Sequence, residues 1–424
     1  MSSTKNKKKI INDPVYGFIT IPSAQIYDII EHPYFQRLRR IKQLSLTYYV
    51  YPGAVHTRFQ HVLGAMHLMQ QAIDTLRIKG VTITDDQEYG ALTAILLHDL
   101  GHGPFSHTLE YTFFKNITHE HLSLAFMEKL KTEMPGVLDE GIKIFTNQTD
   151  KTFLHQLVSS QLDMDRLDYL RRDSFFTGVT EGIIGADRII KMLNMANDEL
   201  VVDAKGIYSI EKFLIARRLM YWQVYLHKTV VVTEHMLIKV LKRAKELTQK
   251  GVELFAPPQL LFFLQNTIDD INLINTAFGE KTPLENFAML DDYDVMASIK
   301  VWATHKDKVL SELSKRIIYR NLFRIAIVTE DKDFNPDDVS KIKENTARFL
   351  GISMQETDYF VFSGIIYNRA YSKIKEEQIN ILFSNGVLRD IAQASDISNV
   401  SALSKIVRKK FICYPKESGQ YFNY

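Results

Sequence analysis

An apolar run that ends abruptly in imidazoles and a carboxylate, at residues 85–107, constrains this chain more than any other stretch. Asp85 to Leu100 reads as its most hydrophobic helix: Ala91, Ala94, Ile95 and Leu96 fill it, and Gly101 stands where a closing glycine belongs. The run passes into HDLGHGPFSH, residues 98–107. A carboxylate at the end of so apolar a helix is costly to bury alone, and a cation that takes the His98 nitrogen and the Asp99 oxygen removes that cost. Gly101 and Gly103 permit close backbone approach, and Pro104 prevents simple continuation of the helix. An adjacent His-Asp pair is a weak signal by itself; followed by His102 and His107 it is a strong one. Of the 13 histidines, His56, His61, His67, His98, His102, His107, His119 and His121 fall within one short stretch, a density that points to metal or acid–base chemistry.

Two other segments can complete a coordination sphere. His61 opens a helix in RFQHVLG, three residues after Arg58. Asp165 lies in QLDMDRLDYLRRD, where Leu162, Leu167, Tyr169 and Leu170 indicate a partly buried helix that also carries Asp163, Asp168 and Asp173. A set of two histidines and two aspartates accommodates manganese, iron or zinc without choosing among them.

Elsewhere the periodicity is mostly helical. A short strand and turn at residues 10–24 precedes helices at His61–Leu76, His119–Thr132, Thr152–Leu162, Asp187–Ala196 and Glu211–Leu247, the last unusually long for one helix. VVDAKGIYSI, residues 201–210, reads as a short hairpin. Helical pattern continues from about 245 to Leu350, and Tyr359–Ile366, Ile379–Phe383 and Lys410–Tyr414 resemble strands. The expected architecture is mostly α: a helical core over 1–245, a helical accessory region over 246–354, and a smaller mixed α/β region over 355–424.

Composition excludes little but sets the environment. With 46% hydrophobic and 24% charged residues, 424 in all, the chain has ordinary globular usage and ample length for a core. No apolar run is long enough to span a membrane. The basic N-terminal stretch lacks a following apolar segment, and Cys413 is a lone cysteine, so a cytoplasmic setting is expected. Net charge is +2, which gives no global polyanion signal. The runs Lys5, Lys7, Lys8, Lys9 and Arg408, Lys409, Lys410 read as a solvated tail and a charged end, with nucleic-acid contact as the alternative.

RLRRIKQL, YPGAVHTRFQHVLG, HDLGHGPFSH, THEH and LDMDRLDYLRRD together resemble the HD superfamily, in the branch of deoxynucleoside triphosphate triphosphohydrolases, over roughly residues 10–245. The resemblance implies an HD-domain helical core with His61, His98, Asp99 and Asp165 as ligands of one divalent metal ion, and a further magnesium travelling with the nucleotide. It places His102, His107 and His119 in the active site, with Glu110 three residues after His107 as a candidate orienter where relatives often have aspartate. Arg58, Arg37 and Arg166 are implied phosphate contacts; Gln43 and Leu44 approach base and sugar; Tyr169 and Asp173 lie near the sugar. Arg217, Tyr221, Tyr225 and Lys228 recur at three- or four-residue intervals, which by spacing alone is an aromatic packing stripe. The resemblance turns Arg217 toward phosphate and Tyr225 toward the nucleoside, and Tyr221 stands where the vertebrate relative has histidine.

Such proteins form homodimers or homotetramers, some with an allosteric nucleotide at subunit contacts. Asn12, Asp13, Gln36 and Arg39 match parts of that pocket, with Lys205 and Lys228 as further candidates, while Glu31 replaces the aspartate expected to receive a guanine edge. The implied reaction is hydrolysis of a deoxynucleoside triphosphate to deoxynucleoside and inorganic triphosphate. The alternatives are another HD phosphoesterase activity on a nucleotide, and a nucleotide- or nucleic-acid-binding regulator on the same scaffold.

Overall fold

Apolar residues close around most of the helix Arg58–Ile78, leaving the His67, Gln70, Gln71 and Asp74 face toward solvent, and that makes it the axis of the N-terminal half. Val62, Leu63, Ala65, Met66, Leu68, Met69, Ala72, Ile73 and Leu76 are all buried. The helices Asp85–Leu97 and Met164–Thr177 pack against it. The computed structural model describes residues 9–105, 109, 112–114, 116–372, 374, 378–396 and 403–419. The helix Asp85–Leu97 starts where its sequence says it should: Thr84 Oγ1 accepts from Gln87 N (3.2 Å), and Gln87 Oε1 accepts from Thr84 N (3.1 Å). Asp85, Asp86 and Glu88 then place negative charge in its first turn.

The strands are short and confined to small sheets. β1 (Ile10–Asp13) and β2 (Gly17–Thr20) form an antiparallel hairpin, and β3 (Leu193–Ala196) pairs with β4 (Glu199–Asp203), with Leu193 opposite Val202. Further along come β5 (Arg324–Thr329), β6 (Phe362–Asn368), β7 (Asn380–Leu382), β8 (Leu388–Asp390) and β9 (Val407–Tyr414). β4 pairs in parallel with β7, Val202 opposite Ile381, so the C-terminal region adds two strands to a hairpin of the N-terminal half in the order β3-β4-β7-β8. The remaining sheet, β5-β9-β6, is antiparallel, and Ile342 of the helix Pro336–Leu350 packs on its face with Ala326, Val361, Ile412 and Tyr414. The fold is a largely α-helical core with a smaller C-terminal region of mixed sheets, as the periodicity predicts.

Two local expectations give way, and the length of a third element is decided. The hairpin falls at 193–203 and not at 201–210, because Asn197 and Asp198 both take left-handed backbone (φ 54° and 61°) and turn the chain there. The preceding helix therefore stops at Met192, and a new one starts at Ile207. The run over 211–247, too long for one helix, is interrupted: a wide π-type turn, Tyr221–Tyr225, separates Ile207–Met220 from Lys228–Gln249. β5 interrupts the run expected to be helical to Leu350; its partner β9 lies some eighty residues onward, beyond the reach of local pattern. Among the described residues no helix is long and apolar enough to cross a membrane.

Candidate metal centre

Three helices deliver the cluster. His61 sits in the first turn of Arg58–Ile78, where Gln60 Oε1 accepts from Thr57 N (2.9 Å) to fix the helix start. His98 caps the helix Asp85–Leu97, and Asp99 follows it into the turn. Asp165 lies in the first turn of Met164–Thr177, whose N-cap Asp163 accepts from Arg166 N (2.7 Å).

These side chains converge. Ligand-type atoms of His61, His98 and Asp99 lie within 4.8 Å of one another. Asp165 Oδ1 is 3.1 Å from His61 Nε2 and 3.5 Å from His98 Nε2. Each histidine has its other nitrogen engaged: His61 Nδ1 donates to Asp168 Oδ2 (2.8 Å), and His98 Nδ1 donates to the Ile95 carbonyl (2.6 Å). Both Nε2 atoms are thereby left to present a lone pair to the two carboxylates. His98 Nε2 is buried 3.4 Å from Asp99 and 3.5 Å from Asp165 and makes no hydrogen bond among the described residues. Two lone pairs facing two carboxylates in a buried space fit a divalent cation, and this nitrogen and oxygen donor set suits a first-row metal.

Electrostatics follow from burial. Burial opposes a charged His61, but hydrogen bonds to Asp165 and Asp168 outweigh it and push its pKa up to about 10, so Nε2 presents its lone pair only when a cation displaces the proton it shares with Asp165. His102 goes the other way: burial, then the nearby Arg58 cation, bring it down to about 3. Burial works against the Asp99 and Asp165 anions, yet Arg58 and His98 beside Asp99, and His61 and His98 beside Asp165, hold both carboxyls well below the usual range.

The loop after Asp99 is shaped by close approach. A side chain on Gly101 would strike the backbone of His119 and Ser123. Ser123 Oγ accepts from Gly101 N (2.8 Å) and donates to the His98 carbonyl (2.6 Å). That contact brings the helix His119–Glu133 against the loop, where the His102 and His119 rings stack with centroids 4.0 Å apart. Further along, Phe105 takes left-handed backbone (φ 54°), and its N–H donates to Asp292 Oδ1 (3.3 Å); Asp292 Oδ2 also accepts from Lys42 N (3.0 Å). The accessory helix Asp292–Trp302 thus supports the loop from behind.

One cavity opens from the cluster and a second adjoins it. One of about 310 Å³ is lined by His98, Asp99, His102, His119, Asp163 and Asp165, with Gln43, Arg58, Arg166 and Tyr169 on its wall. A second of about 420 Å³ shares Gln43, Arg58, Arg166 and Tyr169 and continues to Leu44, Asp173, Tyr221, Tyr225 and Glu234. The π-type turn sets Tyr221 and Tyr225 together on this wall, with ring centroids 5.1 Å apart. Asp173 is already engaged: Oδ1 pairs with His56 Nε2 and Oδ2 accepts from the Tyr225 hydroxyl, each at 2.8 Å. His56 stacks on Phe176, centroids 4.5 Å apart.

Other expected site residues are placed elsewhere. Arg37 is fully buried behind the loop, donating to the carbonyls of Leu100 (2.7 Å) and His102 (2.9 Å) between the Phe126 and Phe287 rings. Arg217 lines neither cavity and donates to the Ala370 carbonyl (3.3 Å). Of the activator candidates, Asn12 sits on β1 opposite Phe18, and Gln36 accepts from Arg39 (2.8 Å). Lys205 lies in the turn before Ile207, and Lys228 opens its helix. Asp13 turns inward to Arg172. His107 and Glu110 lie outside the described residues. Sequence reading missed Asp168 and Arg172 as supports of the site. The requirement that a ligating histidine find an acceptor for its second nitrogen would have pointed to Asp168, one turn after Asp165.

A model of the HD domain matches residues 58–173, and one of the HD-associated region matches 184–269. The crystal structure of a phosphohydrolase from Bacteroides thetaiotaomicron superposes with a TM-score of 0.92 at 53% identity, over 96% of this chain and 100% of that one. YwfO of Bacillus subtilis, described as uncharacterised, is 31% identical over 97% of this chain and 93% of its own. The human deoxynucleoside triphosphate triphosphohydrolase SAMHD1 is 27% identical over 83% of this chain and 62% of its own.

Proposed function

This chain belongs to the HD superfamily of metal-dependent phosphohydrolases, and from that premise we propose that it cleaves a phosphoester bond of a nucleotide. Within that class the reaction we propose is hydrolysis of a deoxynucleoside triphosphate to deoxynucleoside and inorganic triphosphate. The observation that carries it is the pair of cavities sharing Arg58, Arg166 and Tyr169, which gives one path from the metal ligands to an aromatic recess.

His61, His98, Asp99 and Asp165 would hold the cation, which when bound would supply an activated water and polarise the phosphoryl oxygen. Arg58 and Arg166 offer fixed forks to the phosphate oxygens. His119, whose ring stacks on His102, is the imidazole we assign to giving a proton to the departing 5′-oxygen, a role the family resemblance extends to His107; His102, which burial and Arg58 keep neutral, stands beside Asp99. Tyr169 crowds the sugar at C2′, and Asp173, held by His56 and Tyr225, is fixed to accept from the 3′-hydroxyl. Manganese, iron or zinc as the ion, and a homodimer or homotetramer as the assembly, belong to the same proposal.

A second reading, a phosphoesterase acting on a nucleoside monophosphate or cyclic nucleotide, is supported by the same metal cluster, which does not depend on a triphosphate. A binding regulator without turnover is disfavoured, because the complete ligand set is what an inactive scaffold would first lose. Product analysis with dGTP separates these readings. Intact triphosphate supports the leading one; orthophosphate, or turnover of monophosphates only, sinks it and leaves the second. Tyr169→Ala is expected to narrow the ratio of kcat/KM for dGTP over GTP, and an unchanged ratio removes Tyr169 from sugar discrimination.

A further inference from the structure

The metal ligand His61 is the end of a buried chain of charges that begins on the N-terminal hairpin. His61 Nδ1 donates to Asp168 Oδ2 (2.8 Å). Arg172 grips the same carboxylate with both arms of its fork, Nε to Oδ2 at 2.9 Å and Nη2 to Oδ1 at 3.0 Å. Its remaining arm, Nη1, donates to Asp13 Oδ2 (2.7 Å) at the end of β1. His61, Asp168, Arg172 and Asp13 are 1%, 0%, 0% and 7% exposed, so no link in the chain has water as a substitute partner. We propose that Asp13 is a positioning residue for the metal centre, acting on His61 through Arg172 and Asp168. The proposal rests on His61 being a metal ligand.

Two features of the chain are arranged around this relay. The first is Gly64, one turn after His61: a side chain there would land on the Asp168 carboxylate and the Arg172 guanidinium, so the helix leaves a gap where the relay passes. The second is the other oxygen of Asp13. Oδ1 accepts from Val15 N (2.9 Å) and Tyr16 N (3.1 Å), which fixes the turn of the hairpin, while Oδ2 fixes the arginine. One carboxylate therefore ties the hairpin's geometry to the arginine's. A two-stranded hairpin of four-residue strands has little stability of its own; this one is seated by Ile19, which is fully buried, and by the Asp13–Arg172 pair.

The effect on the metal has a definite sign. Asp13 neutralises part of the Arg172 charge. Without it, the guanidinium draws more of the Asp168 negative charge to itself, and the hydrogen bond that orients His61 and raises its basicity weakens. Outer partners of metal-bound histidines are worth roughly 10–100-fold in affinity, and Asp13 acts at one further remove, so the lower end of that range is expected.

The experiment uses the full-length chain stripped of metal and titrated with Mn²⁺ alone, reading affinity and stoichiometry. Asp13→Asn keeps an oxygen for the turn and removes the charge; it is expected to weaken Mn²⁺ about tenfold while the circular dichroism stays native. Ile19→Ala loosens the hairpin without touching the relay and is expected to lower Tm while leaving affinity within about twofold. In an Asp168→Asn background, Asp13→Asn is expected to cost nothing further, because the chain is already cut. Wild-type affinity in Asp13→Asn, an equal loss in Ile19→Ala, or additive losses in the double variant each overturn the proposal. Failure of the ligand assignment looks different: uptake of Mn²⁺ then survives His61→Ala, whereas failure of the relay alone leaves His61→Ala unable to bind.

Discussion

The HD region and the C-terminal sheets are built on opposite principles. Between residues 58 and 173 the chain buries Arg58, His61, Asp99, His102, Asp163, Asp168, Arg172 and Asp173, six of them held by short contacts to one another. Between 324 and 419 the described residues bury one charged side chain, Asp390, held by the Tyr371 hydroxyl and by Ala392 N. The second region is stabilised by ordinary apolar packing, as in the cluster of Ala326, Ile342, Val361, Ile412 and Tyr414. Buried ion networks are poor sources of stability compared with apolar packing of the same volume. A chain that concentrates them in one region is spending stability there for chemistry.

The largest test of that contrast is Asp165→Ala. It should reduce both bound metal and turnover to background while the fold survives, checked by metal content after dialysis. Unchanged stoichiometry removes Asp165 from the coordination sphere. Arg58→Ala comes next: if Arg58 holds the phosphate as proposed, turnover is expected to fall about 10²–10³-fold with metal retained. Normal kcat/KM at limiting substrate contradicts the role.

Ile412→Ala probes the other region. Emptying that small cluster should cost about 2–5 kcal/mol of stability, read by denaturant melts, with turnover per folded molecule unchanged. A loss of turnover well below Tm would break the comparison. It would make the contacts of the C-terminal region with Arg217 and Gln161 part of the active site.

The smallest effect sits on the helix Lys228–Gln249, where Lys245 is buried and donates to the Thr112 carbonyl (3.1 Å). Burial brings its pKa down from 10.5 to about 8. The folded protein therefore releases this proton at lower pH than the unfolded chain does. The cost of burying the charge is fully present below about pH 8 and is gone above about 10.5. Relative to Lys245→Met, wild-type stability should rise across that window by roughly 1–3 kcal/mol. Parallel pH profiles for the two proteins would show that Lys245 is solvated.

The same contrast explains what was legible. HDLGHGP, RFQHVLG and DMDRLDY announce themselves because ionisable residues set among apolar ones need partners, and those partners fall on a few helical turns. The C-terminal sheets leave no such mark: β5 pairs with β9, and β4 with β7, across intervals that no local period encodes. The hairpin at 193–203 was misplaced for a related reason. VVD and KGIYSI carry similar strand propensity, and the turn is decided by Asn197 and Asp198 adopting left-handed backbone.

By itself the sequence determined the chemistry, because residue types that demand a cation, spaced to meet at the ends of apolar helices, leave few other folds able to satisfy them. Only the tertiary structure decided which of several similar side chains does what. Arg37 and Arg58 are both arginines in basic or His-rich motifs, yet one is clamped behind the loop on two carbonyls and the other faces the cavity beside Asp99. Asp13 and Arg172 lie 159 positions apart and meet only when the hairpin docks. Local spacing fixes which residues share a helix face, whereas the direction that face looks is set by packing across the whole chain.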